Sequence, residues 1–258
     1  MLQKSVVMFI QESYEGFCIV GSGTLVFYEG SLFIMSAAHV FENLAREGAA
    51  YLHIVDKIFR LRRINVILSN KEAFGNDRDQ DPLDLGAMLV PDEIIDYCSG
   101  KISFIEPDLI ENNVNNKSII FYQALGYPGE DNTKLAKNAV RREDEFLPNL
   151  LLYSGQFMDE TVRVNPRFSE EYHIAINFGE KGNVNDDGKN VGVPRPEGMS
   201  GGLIQGCFDY LPHSDGLYLT CASGIIIEKD SLNRSIVGVR FDVVYEWLKM
   251  HSGQLTKS

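Results

Sequence analysis

The chain has 258 residues, and 24 Lys and Arg against 36 Asp and Glu give it a formal net charge of −12. That surplus of acid excludes a general nucleic-acid binder, whose affinity rests on cations that neutralise phosphates. Hydrophobic residues at 44% beside charged residues at 23% exclude a disordered chain and leave room for one large or two small domains.

Short apolar or alternating runs separated by turn residues dominate the chain, the pattern of an all-β protein. The opening run, Val6 to Ile10, is too short for a signal peptide or a bilayer span, so no targeting or membrane segment is expected. The first half predicts strands at residues 5–11, 17–28, 32–36, 51–55, 57–61, 65–68 and 85–90, and a helix over 38–46. Tyr28-Glu29-Gly30-Ser31 reads as a hairpin turn. Residues 100–117, polar and Asn-rich, read as a linker between two halves of six or seven strands each. The second half predicts strands at 118–126, 150–156, 173–177, 202–205, 217–227 and 236–241. A closing helix over 241–250 puts Val244, Trp247 and Leu248 on one face. Residues 128–148 and 179–196 read as long surface loops. Strands in runs with so little helix point to a sandwich or barrels, not a βαβ sheet.

Cys18, Cys98, Cys207 and Cys221 are scattered and form no CxxC pair, which disfavours disulfide scaffolds and zinc ribbons. Cys207 and Cys221 lie close enough to face each other across a hairpin, but free thiols and a reducing, cytoplasmic setting are the expectation.

Three stretches carry chemistry: Ser36-Ala37-Ala38-His39, Asp84-Leu85-Gly86-Ala87-Met88-Leu89 and Gly198-Met199-Ser200-Gly201-Gly202. Together they offer a base, an acid and a nucleophile. A Ser hydroxyl needs a neighbouring imidazole to take its proton. The imidazole needs a carboxylate to fix its tautomer and stabilise its charged form. Glycines around the Ser let backbone amides approach a developing oxyanion.

At these residues the sequence resembles the trypsin-like serine peptidases of the chymotrypsin fold, of the intracellular, non-zymogen kind. The first stretch resembles that family's (T/S)AAH box, the second its D(I/L)A box with Gly86 for Ala, and the third its GDSGG box with Met199 for Asp. Gly21-Ser22-Gly23-Thr24-Leu25-Val26 resembles the GSG(S/T) strand of intracellular members, and Leu125-Gly126-Tyr127-Pro128 resembles their GYP turn. The resemblance runs from about Val7 to Met250.

It implies an all-β fold of two six-stranded antiparallel β-barrels with a short C-terminal helix. Residues 1–105 would form the barrel carrying His39 and Asp84, residues 117–251 the barrel carrying Ser200, and 252–258 a tail. Ser200 would be the nucleophile, His39 the general base and Asp84 the orienting acid, with the amides of Gly198 and Ser200 as oxyanion hole. The strand 224–228 would pair with substrate backbone. The specificity pocket would be lined near Pro194, Ile227 and Gly238, with Arg240 at its base, and Glu228 at the end of the paired strand would also bind substrate. Pro194 stands where trypsin-type enzymes carry an acid, so the usual Lys/Arg preference is not expected. Met199 removes the Asp that a freshly cut N-terminus would pair with, which argues against zymogen activation. The resemblance thus implies a protein or peptide substrate and no cofactor, while the missing ligand spacing, the acidic charge and the short apolar runs lead to the expectation of no metal, no nucleic acid and no membrane. An activating protein partner is expected, ordering an otherwise collapsed loop over Arg195–Met199.

Two other readings fit parts of the sequence. One is a catalytically silent barrel that binds peptides as a scaffold module. The other is an α/β-hydrolase esterase, since Gly198-x-Ser200-x-Gly202 matches its elbow; Val193-Pro194-Arg195-Pro196, however, cannot be the central strand that fold requires. Asn183-x-Asn185-x-Asp187-Gly188 only partly mimics a calcium loop, with Asn first and Pro194 where Glu belongs. Arg60, Arg62 and Arg63 read as a charged edge. His53, His173, His213 and His251 read as surface or satisfied core residues.

Overall fold

The first hairpin is set by its turn. Strands β1 (Val6–Ser13), β2 (Gly16–Tyr28) and β3 (Ser31–Ala37) follow one another antiparallel, and Tyr28 pairs with Ser31 across a two-residue loop. Glu29 (φ 45°) and Gly30 (φ 78°) both adopt positive φ, the type I′ geometry that matches strand twist. The computed structural model describes residues 2–14, 16–46, 48–62, 64–69, 77–110, 119–129, 132–133, 148–158, 165–177, 195–210, 218–230 and 233–255.

Helix α1 (Ala38–Leu44) leads to β4 (Ala50–Ile54), β5 (Lys57–Leu61), β6 (Val66–Leu68) and β7 (Leu85–Leu89). These complete a seven-stranded sheet in the order β5-β4-β1-β2-β3-β7-β6. Helix α2 (Asp92–Cys98) follows. Strands β8 (Phe121–Gly126), β9 (Leu151–Gly155), β10 (His173–Asn177), β11 (Leu203–Tyr210), β12 (Tyr218–Asp230) and β13 (Ser235–Arg240) form a six-stranded sheet in the order β10-β13-β12-β11-β8-β9. Every ladder in both sheets is antiparallel.

The chain closes with helix α3 (Phe241–His251), which buries Phe241, Val244, Trp247 and Leu248 on one face. Asp242 in its first turn and Lys249 and His251 in its last complement the helix dipole. The expected linker is packed over its described part. Ile105 bridges Val26 of β2, and its carbonyl also accepts Tyr245 Oη of α3 at 2.9 Å. Five residues later Ile110 bridges Ala222 of β12, so the chain passes from one sheet to the other in a single short step.

One apolar core runs through both sheets, from Phe9 and Ile34 to Leu203, Val237 and Trp247. A second, smaller cluster inside the six-stranded sheet contains Ala124, Ile174, Ile204, Ile226, Ile236 and Met199. All four cysteines are free thiols. Cys207 pairs with Thr220 and Cys221 with Gly206, so the two side chains leave opposite faces of the sheet. Burial pushes the Cys207 thiol up to about 11. No helix among the described residues is long and apolar enough to cross a membrane.

Candidate active site

Asp84 precedes β7 in the left-handed region (φ 41°), a conformation Asp tolerates better than most residues. That backbone aims its acceptors at the start of α1. The Asp84 carbonyl accepts from Ala38 N at 2.7 Å, and Oδ1 accepts from His39 N at 3.1 Å. Helix α1 has no side-chain cap at Ala37, so Asp84 satisfies two amides that a helix start leaves open. The other carboxylate oxygen, Oδ2, lies 2.6 Å from His39 Nδ1. Asp84 is buried, whereas the His39 side chain is 36% exposed.

Asp81, the nearby competitor for this role, is engaged elsewhere. Its carboxylate takes Ser69 Oγ, Arg78 Nη1 (2.5 Å) and Leu83 N (3.1 Å). The Arg78 guanidinium also holds Glu42 at 2.9 Å and brings Nε to 3.9 Å from Asp84 Oδ1. The Asp79 side chain lies outside the described residues.

Ser200 sits on the turn before β11, between Gly198 (φ 93°) and Gly201 (φ 87°). Ser22 of β2 ties that turn to the first sheet. Its N–H donates to Ser200 O (2.8 Å) and its Oγ to Gly198 O (3.0 Å), while Oγ accepts from Tyr127 N (2.9 Å). Only one backbone separates α1 from Ser200: a Cβ on Gly21 would stand 2.6 Å from Val40 Cγ2 and 3.1 Å from Ser200 O. Ser200 is thus a neighbour, across Gly21, of the helix that carries His39, and Asp84 caps that helix.

The peptide planes around Ser200 fix where its amides point. Glu197 O accepts from Gly129 N and Met199 O from Gly202 N, both at 2.8 Å. In a trans peptide the N–H points opposite to its carbonyl, so the amides of Gly198 and Ser200 face away from those partners. Among the described residues neither amide donates a hydrogen bond, and neither His39 Nε2 nor Ser200 Oγ makes one. Met199 N bonds Pro196 O (3.0 Å), and the Met199 side chain is buried in the smaller core. The segment expected to be collapsed is therefore anchored at Glu197, Gly198 and Met199.

Beside Ser200 lies a pocket of about 280 Å³ lined by Pro196, Met199, Ile226, Ile236 and Glu228, with Glu197 and Lys229 also at its wall, 3.4 Å apart. Glu228, expected on the substrate-pairing strand, stands at the wall of this pocket, and Pro194 lies outside the described residues. Ile227 is buried in the main core and does not line this pocket, whereas Ile226 and Glu228 do; the β12–β13 register shifts between those two, leaving Ile227 without a partner in that ladder. Gly238 packs beneath Ile204 and the Ile225 carbonyl, and Arg240 precedes α3 with its N–H on Tyr172 O (2.9 Å). Neither reaches the pocket among the described residues.

Sequence reasoning missed the contacts that hold this site from behind. Arg167 donates to Glu228 Oε2 and, through Nη2, to Asp81 O at 3.0 Å, linking β12 to the segment before Asp84. Burial pushes the Glu228 carboxyl above its ordinary value, a rise that Arg167 only partly offsets. His173 Nε2 reaches Pro82 O at 2.6 Å, while Ser169 N donates to its Nδ1 at 3.1 Å. Both contacts suit a neutral ring, and burial lowers the His173 pKa below 6.5. The unfolded chain then binds the extra proton first, so stability falls as pH drops below about 6.5. Urea denaturation at pH 7.5, 6.5 and 5.5 should show that loss, at up to about 1.4 kcal/mol per pH unit, and a shallower slope in His173→Gln. An unchanged slope in the variant would assign the acid sensitivity to other groups.

No protein-family model and no curated protein matches the sequence. Solved structures do match it over nearly its whole length. The Vibrio cholerae VesB protease is 12% identical with a TM-score of 0.52, over 98% of this chain and 65% of that one, so this chain spans under two thirds of that protein. The thermostable serine protease AL20 from an extremophilic microorganism is 14% identical with a TM-score of 0.50, over 96% and 98% of the two chains. The scabies mite inactivated protease paralogue S-I1 is 13% identical with a TM-score of 0.52, over 98% and 96%. These identities establish architecture, and the presence of an inactivated paralogue shows that the architecture outlives the chemistry. The chain has the trypsin/chymotrypsin fold of the serine proteases.

Proposed function

We propose that this chain is a serine endopeptidase that cleaves protein or peptide substrates through Ser200, His39 and Asp84. The observation that carries the reading is the 2.6 Å contact between His39 Nδ1 and Asp84 Oδ2. With Nδ1–H held by the carboxylate, Nε2 is the ring's acceptor. Ser200 Oγ attacks the scissile carbonyl carbon as its proton passes to His39 Nε2. The oxyanion takes hydrogen bonds from the amides of Gly198 and Ser200. His39 then protonates the leaving amine, and a water deprotonated by His39 hydrolyses the acyl-enzyme.

The substrate backbone pairs with β12. The β11 ladder ends at Leu203–Ile225 and continues only through Gly201 and Gly202 to Ile226, so strand addition falls beyond that point. Apolar walls at Met199, Ile226 and Ile236, with Glu228 held by Arg167, favour an uncharged side chain at the cleaved position. Four free thiols support a reducing, cytoplasmic setting. Control by a partner protein would raise a basal activity that the isolated chain already has, since buried Met199 cannot take the ion pair through which a new N-terminus acts.

The competing reading, a silent peptide-binding barrel, draws support from Ser200 Oγ making no hydrogen bond to His39 among the described residues. Catalytic hydrogen bonds often tighten only when substrate arrives. Hydrolysis of p-nitrophenyl acetate separates the two. A peptidase releases a burst of about one nitrophenolate per chain, and Ser200→Ala removes the burst and lowers turnover by roughly 10⁵-fold or more. Slow release without a burst, equal in Ser200→Ala, would favour the silent barrel.

A further inference from the structure

A groove of about 640 Å³ opens where the residues just before Asp84 meet helix α3. Leu83, Tyr172, Trp247 and Met250 form its apolar wall. Tyr172 is 43% exposed and Met250 67%, so this wall reaches the surface. Glu171, Asp242 and Glu246 stand along the same groove, and among the described residues no Lys or Arg lines it. Asp81 borders it too, but is buried and held by Arg78 and Ser69. Lys249 approaches Glu246 only at 3.7 Å, with both side chains largely exposed, a weak pair that a tighter ligand displaces.

The groove is elongated along α3. Val243, Glu246 with Trp247, and Met250 recur every three or four positions and so share one helix face. From Val243 to Met250 the helix rises about 10 Å, the length of about three residues of extended chain. An apolar trough of that length, edged by carboxylates on a chain of net charge −12, is complementary to a basic strand.

We propose that this groove docks a cationic amphipathic segment of a partner protein, an extended stretch in which Arg or Lys alternates with large apolar side chains. The apolar side chains cover Leu83, Tyr172 and Met250, and the cations meet Glu171, Asp242 and Glu246. Docking stands on the groove alone; its use as the activating contact rests on the peptidase reading, because the wall at Pro82 and Leu83 leads straight into Asp84.

Trp247 is the chain's single Trp, so its fluorescence reports the groove directly. The full chain is titrated with the Trp-free peptide acetyl-Phe-Arg-Leu-Arg-Phe-amide and with its counterpart carrying Glu for Arg. The expected result is a saturable change in Trp247 emission with the basic peptide and binding weaker by about tenfold or more with the acidic one. A Glu171→Lys, Glu246→Lys double variant and, separately, Met250→Glu should each weaken the basic peptide by about tenfold or more while keeping the wild-type melting temperature. All three positions are exposed, so each variant should fold. No saturable change, equal binding of both peptides, or undiminished binding in both variants would overturn the proposal. Fluorophosphonate labelling of Ser200 without peptide reports separately on the peptidase reading, so failure of one is not mistaken for failure of the other.

Discussion

Asp84→Asn should lower ester and peptide turnover by about 10⁴-fold while leaving the protein folded. An Asn oxygen can still accept the His39 N–H that Asp84 Oδ1 accepts now, so the start of α1 keeps its cap. What changes lies at Oδ2, 2.6 Å from His39 Nδ1. An amide NH₂ there donates instead of accepting and turns the imidazole to the tautomer that carries its proton on Nε2. That tautomer cannot take the Ser200 proton. The carboxylate is also the charge that would stabilise the imidazolium, and Asn supplies none. A companion Asp81→Asn should cost stability through Arg78 and Ser69 but leave the tautomer alone. Steady-state kinetics on both variants, with circular dichroism as the folding check, decides the matter. Equal losses of turnover in the two would contradict the assignment of Asp84.

The largest effect on stability should come from Gly201→Ala, at about 3–5 kcal/mol. Gly201 has φ 87°, and a Cβ there would stand 2.0 Å from Ser22 O and 2.1 Å from Ser36 Oγ. Both atoms are committed, since Ser36 Oγ donates to Ser22 O at 2.7 Å. Gly201 itself donates to Ile226 O and accepts Thr24 Oγ1 at 3.0 Å, so it cannot retreat without opening the junction of the two sheets. Gly30→Ala is the control. Its φ is similar at 78°, but a Cβ there meets nothing within 4 Å, so it should cost only about 1 kcal/mol. Urea denaturation of the pair separates collision from backbone strain. Equal losses would mean that the junction at Ser200 yields more readily than its contacts imply.

The strands were legible in the sequence because apolar runs bounded by turn residues have few alternatives, and Tyr28-Glu29-Gly30-Ser31 states its own turn. Helix α2 was not, since in seven residues only Ile94 and Cys98 are buried and no periodicity accumulates. The extents of β11 and β12 were underestimated where polar side chains such as Gln205 and Lys229 interrupt the apolar pattern. His39, Asp84 and Ser200 stood out because each lies at the end of an apolar run, in a short box of recognisable composition. Their support did not stand out. Arg167 reaches Glu228 across 61 positions and Asp81 across 86, and no local pattern announces such pairs. Ile227 was placed in the pocket but is buried in the main core; Ile226, one step back and beside a β-bulge that no sequence pattern announces, is the residue that lines it.

An activated Ser200 should react with electrophiles that ordinary serines resist. The most direct test is treatment of the purified protein with a fluorophosphonate probe, with the adduct located by mass spectrometry. Such a probe is small enough to need no docked substrate, and the amides of Gly198 and Ser200, which donate to no partner among the described residues, suit its phosphonyl oxygen. The expected result is a single adduct on Ser200, absent in Ser200→Ala and formed far more slowly in Asp84→Asn. A folded protein whose Ser200 stays unmodified while other serines react equally in wild type and Ser200→Ala would contradict it.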